Sequence, residues 1–175
     1  MGKKKNPSGS AKQPAACIVP GLLYLGPVSA TSNSAFLARE GITHVLSIGK
    51  SPASRIEGVT YERLSLTDEE DSSIGPIAIK ACEIIDMAAS TGGKVLVHCS
   101  AAISRSPTIV AAYLMKSRSM SLREALETLV AARGSVAPNP GFMRQLSDME
   151  KELFDGKSTF DPSGVTATTR LASWV

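Results

Sequence analysis

The stretch Val95-Leu96-Val97-His98-Cys99-Ser100-Ala101-Ala102-Ile103-Ser104-Arg105-Ser106-Pro107 reads as a strand, a tight loop and a helix start. Val95-Leu96-Val97 is a short buried strand, and Pro107 to Met115 is apolar on nearly every side, which suits a central helix covered by its neighbours. A loop that bridges a strand end and a helix N-terminus turns several backbone N–H groups toward one point and adds the positive end of the helix dipole. The result is an anion site, and phosphate fits it. Cys99 opens the loop, so the donors that bind an anion also favour its thiolate and lower its pKa. Arg105 follows six positions later. Its planar guanidinium can fold over the site and donate two parallel hydrogen bonds to two phosphate oxygens, which a lysine could not match.

Working outward, strand and helix patterns alternate. Ile18 to Leu25 carries apolar residues around Pro20-Gly21, predicting two short strands with a turn, and Ser29 to Arg39 predicts a helix ending near Gly41. Thr43 to Ile48 and Tyr61 to Leu66 are strand candidates, the first ending at Gly49. Pro76 stands where a first helical turn starts; Ile77, Ala81, Ile84, Ile85 and Ala88 recur at helical spacing until Gly92-Gly93 stops the run. Ser121 and Glu124 form a capping box before Leu122, Ala125, Leu126, Leu129 and Val130, with Gly134 past the end. Pro140 opens a last helix carrying Phe142, Leu146, Met149 and Leu153. No internal repeat is visible. The expectation is an α/β domain with a central mixed, mostly parallel sheet flanked by helices.

A hydrophobic content of 43% with 20% charged residues suits one globular domain. Residues 1–16 are rich in Lys, Ser, Gly, Pro and Ala, and residues 155–175 return to Gly, Ser, Thr and Asp. Both are expected to be disordered tails around a folded domain at 17–154. The net charge of +3 comes from Lys3, Lys4, Lys5 and Lys12; without them 15 basic residues face 16 acidic ones. A solvated tail is the reading preferred over a nucleic-acid or membrane contact. Met1-Gly2 followed by three lysines suggests a myristoylation signal, but the sixth residue is Asn6 rather than Ser or Thr. No apolar run reaches the roughly 18 to 20 residues that span a bilayer, and no apolar stretch follows the N-terminal lysines as in a signal peptide. Cys17, Cys82 and Cys99 show neither disulfide-framework nor metal-ligand spacing. A reducing compartment, cytoplasmic or nuclear, is expected, with Cys17 and Cys82 as packing residues.

His98-Cys99, five residues, Arg105 and Ser106 resemble the signature of the dual-specificity protein phosphatases, a branch of the protein tyrosine phosphatases. The similarity extends to Ile18–Gly26, which looks like the family's opening strands. Arg133, Pro138-Asn139-Pro140-Gly141-Phe142 and Gln145-Leu146 look like its closing helix. The resemblance implies the cysteine-phosphatase fold, a phosphorylated protein as substrate, and no cofactor or metal; oligomeric state is left open. It also implies two steps: Cys99 attacks phosphorus to give a phosphocysteine, and water releases phosphate. Ser100, Ala101, Ala102, Ile103, Ser104 and Arg105 would bind the phosphoryl group. Asp68, about thirty residues before the cysteine, would protonate the leaving oxygen and then serve as base toward water. Asp71 is the alternative acid, and a solvated acidic turn over Asp68–Asp71 the bland reading. Ser106 would donate to the Cys99 sulfur, or simply cap the helix. His98 would shape the loop, Asn139 would hold the loop or cap the last helix, and His44 has no role.

One residue departs from the family pattern. Gly usually stands three positions after the cysteine, and this chain has Ala102. If the loop needs a positive φ there, a Cβ opposes it, and replacement by Gly is expected to accelerate turnover. The first functional reading is a phosphatase for phosphotyrosine and phosphoserine/threonine, preferred over a tyrosine-only enzyme because the chain is short. The alternative is a pseudophosphatase that binds phosphoproteins without efficient turnover, on the strength of Ala102. A lipid phosphatase is disfavoured because residues 100–104 carry no charge, and relatives acting on RNA 5′ ends use a different loop sequence.

Overall fold

The computed structural model describes residues 13–166 and 171. Five strands form one sheet in the order β1-β2-β5-β3-β4. β1 (Ala16–Val19) and β2 (Leu23–Pro27) make an antiparallel hairpin. β2, β5 (Val95–Cys99), β3 (His44–Ile48) and β4 (Thr60–Leu64) all run parallel. The sheet is therefore mixed and mostly parallel, as the alternation of elements requires. β5 lies between β2 and β3, and its C-terminal end is where Cys99 emerges.

The alternation of side chains along the strands sorts them between two cores. Leu23, Leu25, Leu46, Ile48, Val95 and Val97 join the larger one, with α2 (Gly75–Ser90), α3 (Arg105–Arg118), α4 (Leu122–Ala132) and α5 (Pro140–Leu153). Tyr24, Val45 and Leu96 face the other side, against Phe36 and Leu37 of α1 (Ser34–Glu40) and the following Ile42. Every residue of β5 is buried because both faces are covered. α3 is central among the helices, with Ser106 through Met115 all buried, and this holds the end of β5 and the start of α3 in one rigid frame.

Local chemistry sets the element ends. Ser121 accepts from the Glu124 N–H while Glu124 takes the Ser121 N–H, capping α4; Asn139 accepts from the Phe142 N–H, capping α5. The single helix expected over 29–39 is instead a 3₁₀ turn at Val28–Ser32 followed by α1. Asn33 causes the break: its Oδ1 accepts the Phe36 N–H at 2.9 Å, which starts a new helix rather than continuing one.

The ends differ from the expected tails. Residues 1–12, most of the basic segment, lie outside the described residues. Of the rest, Ala15 is buried and Ala16 already belongs to β1. The expectation of disorder from 155 onward is corrected for residues 155–166 and 171, because Phe160, Val165 and Leu171 are all buried in the main core; residues 167–170 and 172–175 lie outside the described residues. A short 3₁₀ turn at Pro162–Gly164 lies between Phe160 and Val165. These apolar anchors are spaced too widely, among polar residues, to form a periodic pattern. Among the described residues no helix is long and apolar enough to cross a membrane.

Candidate active site

Residues 99–105 wrap around the C-terminal end of β5 and feed into α3, the position at which ligands approach parallel sheets. A loop whose N–H groups converge must send its carbonyls outward, and each outward carbonyl needs a donor. Every one from Cys99 to Ser104 has one. Cys99 O accepts from His98 Nδ1, Ser100 O from the Val28 N–H, Ala101 O and Ala102 O from Arg133 Nη2 and Nε, Ile103 O from the Ala137 N–H. Ser104 O accepts from both the N–H and the hydroxyl of Thr108. The loop is thus fixed from behind, which leaves its N–H groups for the concave side.

Ala102 carries the curvature, with a left-handed φ of 55°. That torsion turns its N–H toward the Cys99 sulfur. Cys99 is only 3% exposed. Burial alone would push its thiol up, but hydrogen bonds from the Ser106 hydroxyl, the Ser106 N–H and the Ala102 N–H, with the nearby Arg105 charge, outweigh it and hold the thiol below its ordinary value. The Ser106 hydroxyl donates to Cys99 Sγ at 3.2 Å. His98 is buried and its pKa is lowered by that burial, against the pull of the Cys99 carbonyl. The neutral ring is tautomerically defined: Nδ1 faces a carbonyl, which only accepts, so Nδ1 carries the proton and Nε2 accepts from the Ser47 hydroxyl at 2.7 Å.

Arg105 Nη2 donates to Ser100 Oγ at 2.9 Å. Its Nε is buried without a hydrogen-bond partner among the described residues, the nearest carboxylate oxygen, Asp68 Oδ2, being 3.9 Å away. A half-buried guanidinium with an unused, buried Nε donor is equipped to take an anion. Asp68 is held at the opposite rim: its Oδ1 accepts from Ser104 Oγ at 2.6 Å and from Asn139 Nδ2 at 3.0 Å. Asn139 also donates its backbone N–H to Ser104 Oγ. The cap of α5 and the support of the loop are therefore performed by the same residue. Asp71 is exposed and makes no hydrogen bond to the loop.

This arrangement is that of a cysteine nucleophile in an oxyanion cradle with a carboxylate at its edge. A family model described as the dual specificity phosphatase catalytic domain matches residues 23–152. The chain belongs to the dual-specificity phosphatase family. It is 42% identical over 133 residues to dual specificity protein phosphatase 1 of Arabidopsis thaliana, covering 75% of this chain and 67% of that protein. To dual specificity protein phosphatase 5 of Rattus norvegicus it is 38% identical over 141 residues, 80% of this chain but 37% of the rat protein. Among solved structures, a mouse putative dual specificity phosphatase complexed with zinc tungstate is similar with a TM-score of 0.78 and 31% identity, covering 86% of this chain and 94% of that one.

The structure of this dual-specificity phosphatase brings together Cys99, Ser100, Ala102, Ser104, Arg105, Ser106, His98, Asp68 and Asn139. Ala101 and Ile103 are exposed loop residues that meet the supporting frame through their carbonyls. Three residues outside the motif support the site in roles the sequence did not assign. Arg133, noted only for its likeness to the family's closing helix, holds two loop carbonyls from the end of α4. Gly49, with φ 82°, makes room for the clamp: a Cβ there would lie 2.5 Å from Arg105 Nη1 and 2.6 Å from Leu66 O. Gln145 fastens the acid loop to α5, accepting from the Ile74 N–H and donating to Ser72 O.

Proposed function

We propose that this enzyme hydrolyses phosphotyrosine and phosphoserine/phosphothreonine in proteins through a phosphocysteine intermediate. The observation that carries this reading is the Cys99 thiol, held below its ordinary pKa inside a loop whose N–H groups face one point, with Arg105 beside it. Cys99 Sγ attacks phosphorus as the ester P–O bond breaks. Arg105 and the loop N–H groups take the equatorial oxygens, and Asp68 gives a proton to the departing oxygen. In the second step Asp68 accepts a proton from water, which attacks phosphorus and expels the Cys99 thiolate. Ser106 eases that departure by donating to sulfur. Ala102 removes none of these groups, and the uncharged loop disfavours a polyanionic lipid head group. A thiol used in this way suits the reducing interior of the cytoplasm or nucleus.

The test is turnover of phosphopeptides and p-nitrophenyl phosphate. Cys99→Ser is expected to abolish turnover while still binding phosphopeptide, because a hydroxyl is far less ionised than a thiol; measurable turnover by that variant overturns the phosphocysteine. Asp68→Asn is expected to lower the rate about 10²- to 10⁴-fold on phosphoserine. The loss should be smaller on p-nitrophenyl phosphate, whose phenolate leaves without a proton. Equal losses on both would remove Asp68 from the acid role.

A further inference from the structure

Ser47 and His98 are cross-strand partners in the parallel pairing of β3 with β5. They lie on the sheet face shared by Val45 and Leu96, beneath α1. Ser47 is 1% exposed and His98 not at all. A strand covered on both faces is expected to be apolar, and β3 is so from Val45 to Ile48 except at this serine. A hydroxyl buried there is costly unless it is bonded. Among the described residues, its side-chain hydrogen bond is to His98 Nε2 at 2.7 Å.

That bond decides more than the comfort of one hydroxyl. Because Ser47 Oγ donates to Nε2, the proton of the neutral ring stays on Nδ1, from which it is given to Cys99 O at 3.0 Å. The opposite tautomer would set a nitrogen lone pair against that carbonyl, and burial disfavours the doubly protonated ring. Cys99 O belongs to the trans peptide that joins the nucleophile to Ser100. In a trans peptide the C=O and the following N–H point in opposite directions, so holding this carbonyl outward turns the Ser100 N–H toward the concave side.

The other carbonyls of the loop are held by backbone N–H groups, by Arg133 or by Thr108, and none of these depends on a tautomer. Cys99 O alone depends on an imidazole, which offers a donor or a lone pair at the same atom according to where its proton sits. The sulfur itself is faced by the hydroxyl and N–H of Ser106, the Ala102 N–H and the Arg105 charge, with Asp68 beyond Arg105. Ser47 bonds to none of these groups, so its route to the nucleophile runs through His98.

We propose that Ser47 is a positioning residue for the phosphate loop: by fixing the tautomer of His98 it holds the Cys99 carbonyl outward and keeps the Ser100 N–H aimed at the phosphoryl group. The inference deepens the phosphatase reading and rests on it.

The experiment compares the full chain with its Ser47→Ala and Ser47→Thr variants. Alanine removes the donor without adding volume, and threonine keeps it. In Ser47→Ala, kcat/KM on a phosphotyrosine peptide is expected to fall about 10-fold. That is less than the loss of about 10²- to 10³-fold from deleting an oxyanion donor outright, because the N–H is loosened rather than removed. Inorganic phosphate should inhibit about 3- to 5-fold more weakly, and the pH profile of Cys99 alkylation should move to the alkaline side. Ser47→Thr should restore all three; a folded threonine variant that behaves like alanine overturns the proposal. In a His98→Gln background, Ser47→Ala should add less than about twofold. A full further loss there would mean that Ser47 acts by packing, and overturns it too. Nitrogen-15 spectra decide independently of any variant, and the chain has only two histidines to assign: His98 should carry its proton on Nδ1, and a ring protonated at Nε2 overturns the proposal. A folded Ser47→Ala with unchanged turnover, phosphate inhibition and alkylation overturns the positioning role and leaves the phosphatase reading standing. Failure of the wild type to turn over any phosphopeptide overturns both.

Discussion

Cys99 is buried, a setting that by itself would keep a thiol protonated, so its reactivity depends on the few donors around it. Ser106 is the first of these, and its helix position alone does not tell sulfur donor from cap; the 3.2 Å contact to Sγ does. Ser106→Ala is expected to move the thiol pKa upward, so that less thiolate exists at neutral pH and the pH profile of iodoacetamide alkylation shifts to the alkaline side. Hydrolysis of the phosphocysteine should slow by about 10- to 100-fold, since a hydrogen bond to a charged group contributes roughly 1.5 to 3 kcal/mol. Quench-flow should then show a phosphoenzyme accumulating; an unshifted alkylation profile would leave Ser106 with packing alone. Ala102 was legible as a departure from the family, and its φ of 55° agrees with a loop that needs a left-handed residue. The expected acceleration by Gly does not follow, however. The torsion is already present in the free protein, so its cost of about 1 to 2 kcal/mol cancels between free enzyme and transition state. Ala102→Gly should therefore leave kcat/KM within about threefold, the relieved strain appearing in folding stability, where added unfolded-chain entropy opposes it. A tenfold gain in kcat/KM would mean that the loop acquires its shape only with substrate.

At the scale of elements, the hydrophobic periods found the five strands and the last four helices to within a few residues, because each is bounded by a strong local signal. These include the capping box at Ser121, Pro140 after Asn139, and Gly49 after β3. Where a cap competed with a period the cap won, and Asn33 divided the helix expected over 29–39. The supports of the loop were less legible in their roles, since Arg133, Gly49 and Gln145 reach their partners in the site across 31 to 73 positions of sequence, through contacts that no local spacing encodes. Gly49 at the end of β3 tests this level. Gly49→Ala puts a methyl group into Arg105 Nη1 and Leu66 O at a φ of 82° that L-residues avoid, so the guanidinium must leave its place. Inorganic phosphate and tungstate are expected to inhibit about tenfold more weakly and KM to rise, with kcat less affected than in Asp68→Asn. Unchanged inhibition would show that Arg105 reaches the anion by another path.

At the scale of the whole molecule, the C-terminal segment is part of the fold, and Glu150 explains how. This α5 side chain is 1% exposed. Its carboxylate takes the Leu122 N–H at the start of α4, the Ser158 hydroxyl, and both the N–H and hydroxyl of Thr159, each at 2.7 Å. One charge thereby joins α5, the positive end of α4 and the strand of chain that delivers Phe160, Val165 and Leu171 to the core. Burial would raise the Glu150 pKa, but the donors from Ser158, Leu122 and Thr159 outweigh it and hold the carboxyl below its ordinary range. A carboxyl with a depressed folded pKa contributes stability that is present above the unfolded value, about 4.3, and is lost as pH falls through the folded one. Glu150→Gln should therefore lower unfolding free energy by about 2 to 4 kcal/mol at pH 7, since an amide offers one acceptor oxygen to four donors. The difference from wild type should close in acid, where the native carboxyl is itself neutral. Denaturant melts at pH 7 and pH 3 measure both parts, and limited proteolysis should cut the variant first within residues 155–166. Equal stability at pH 7 would mean that the apolar anchors hold the segment without the charge. A difference that persists unchanged at pH 3 would mean that the side chain acts there by shape and neutral hydrogen bonds.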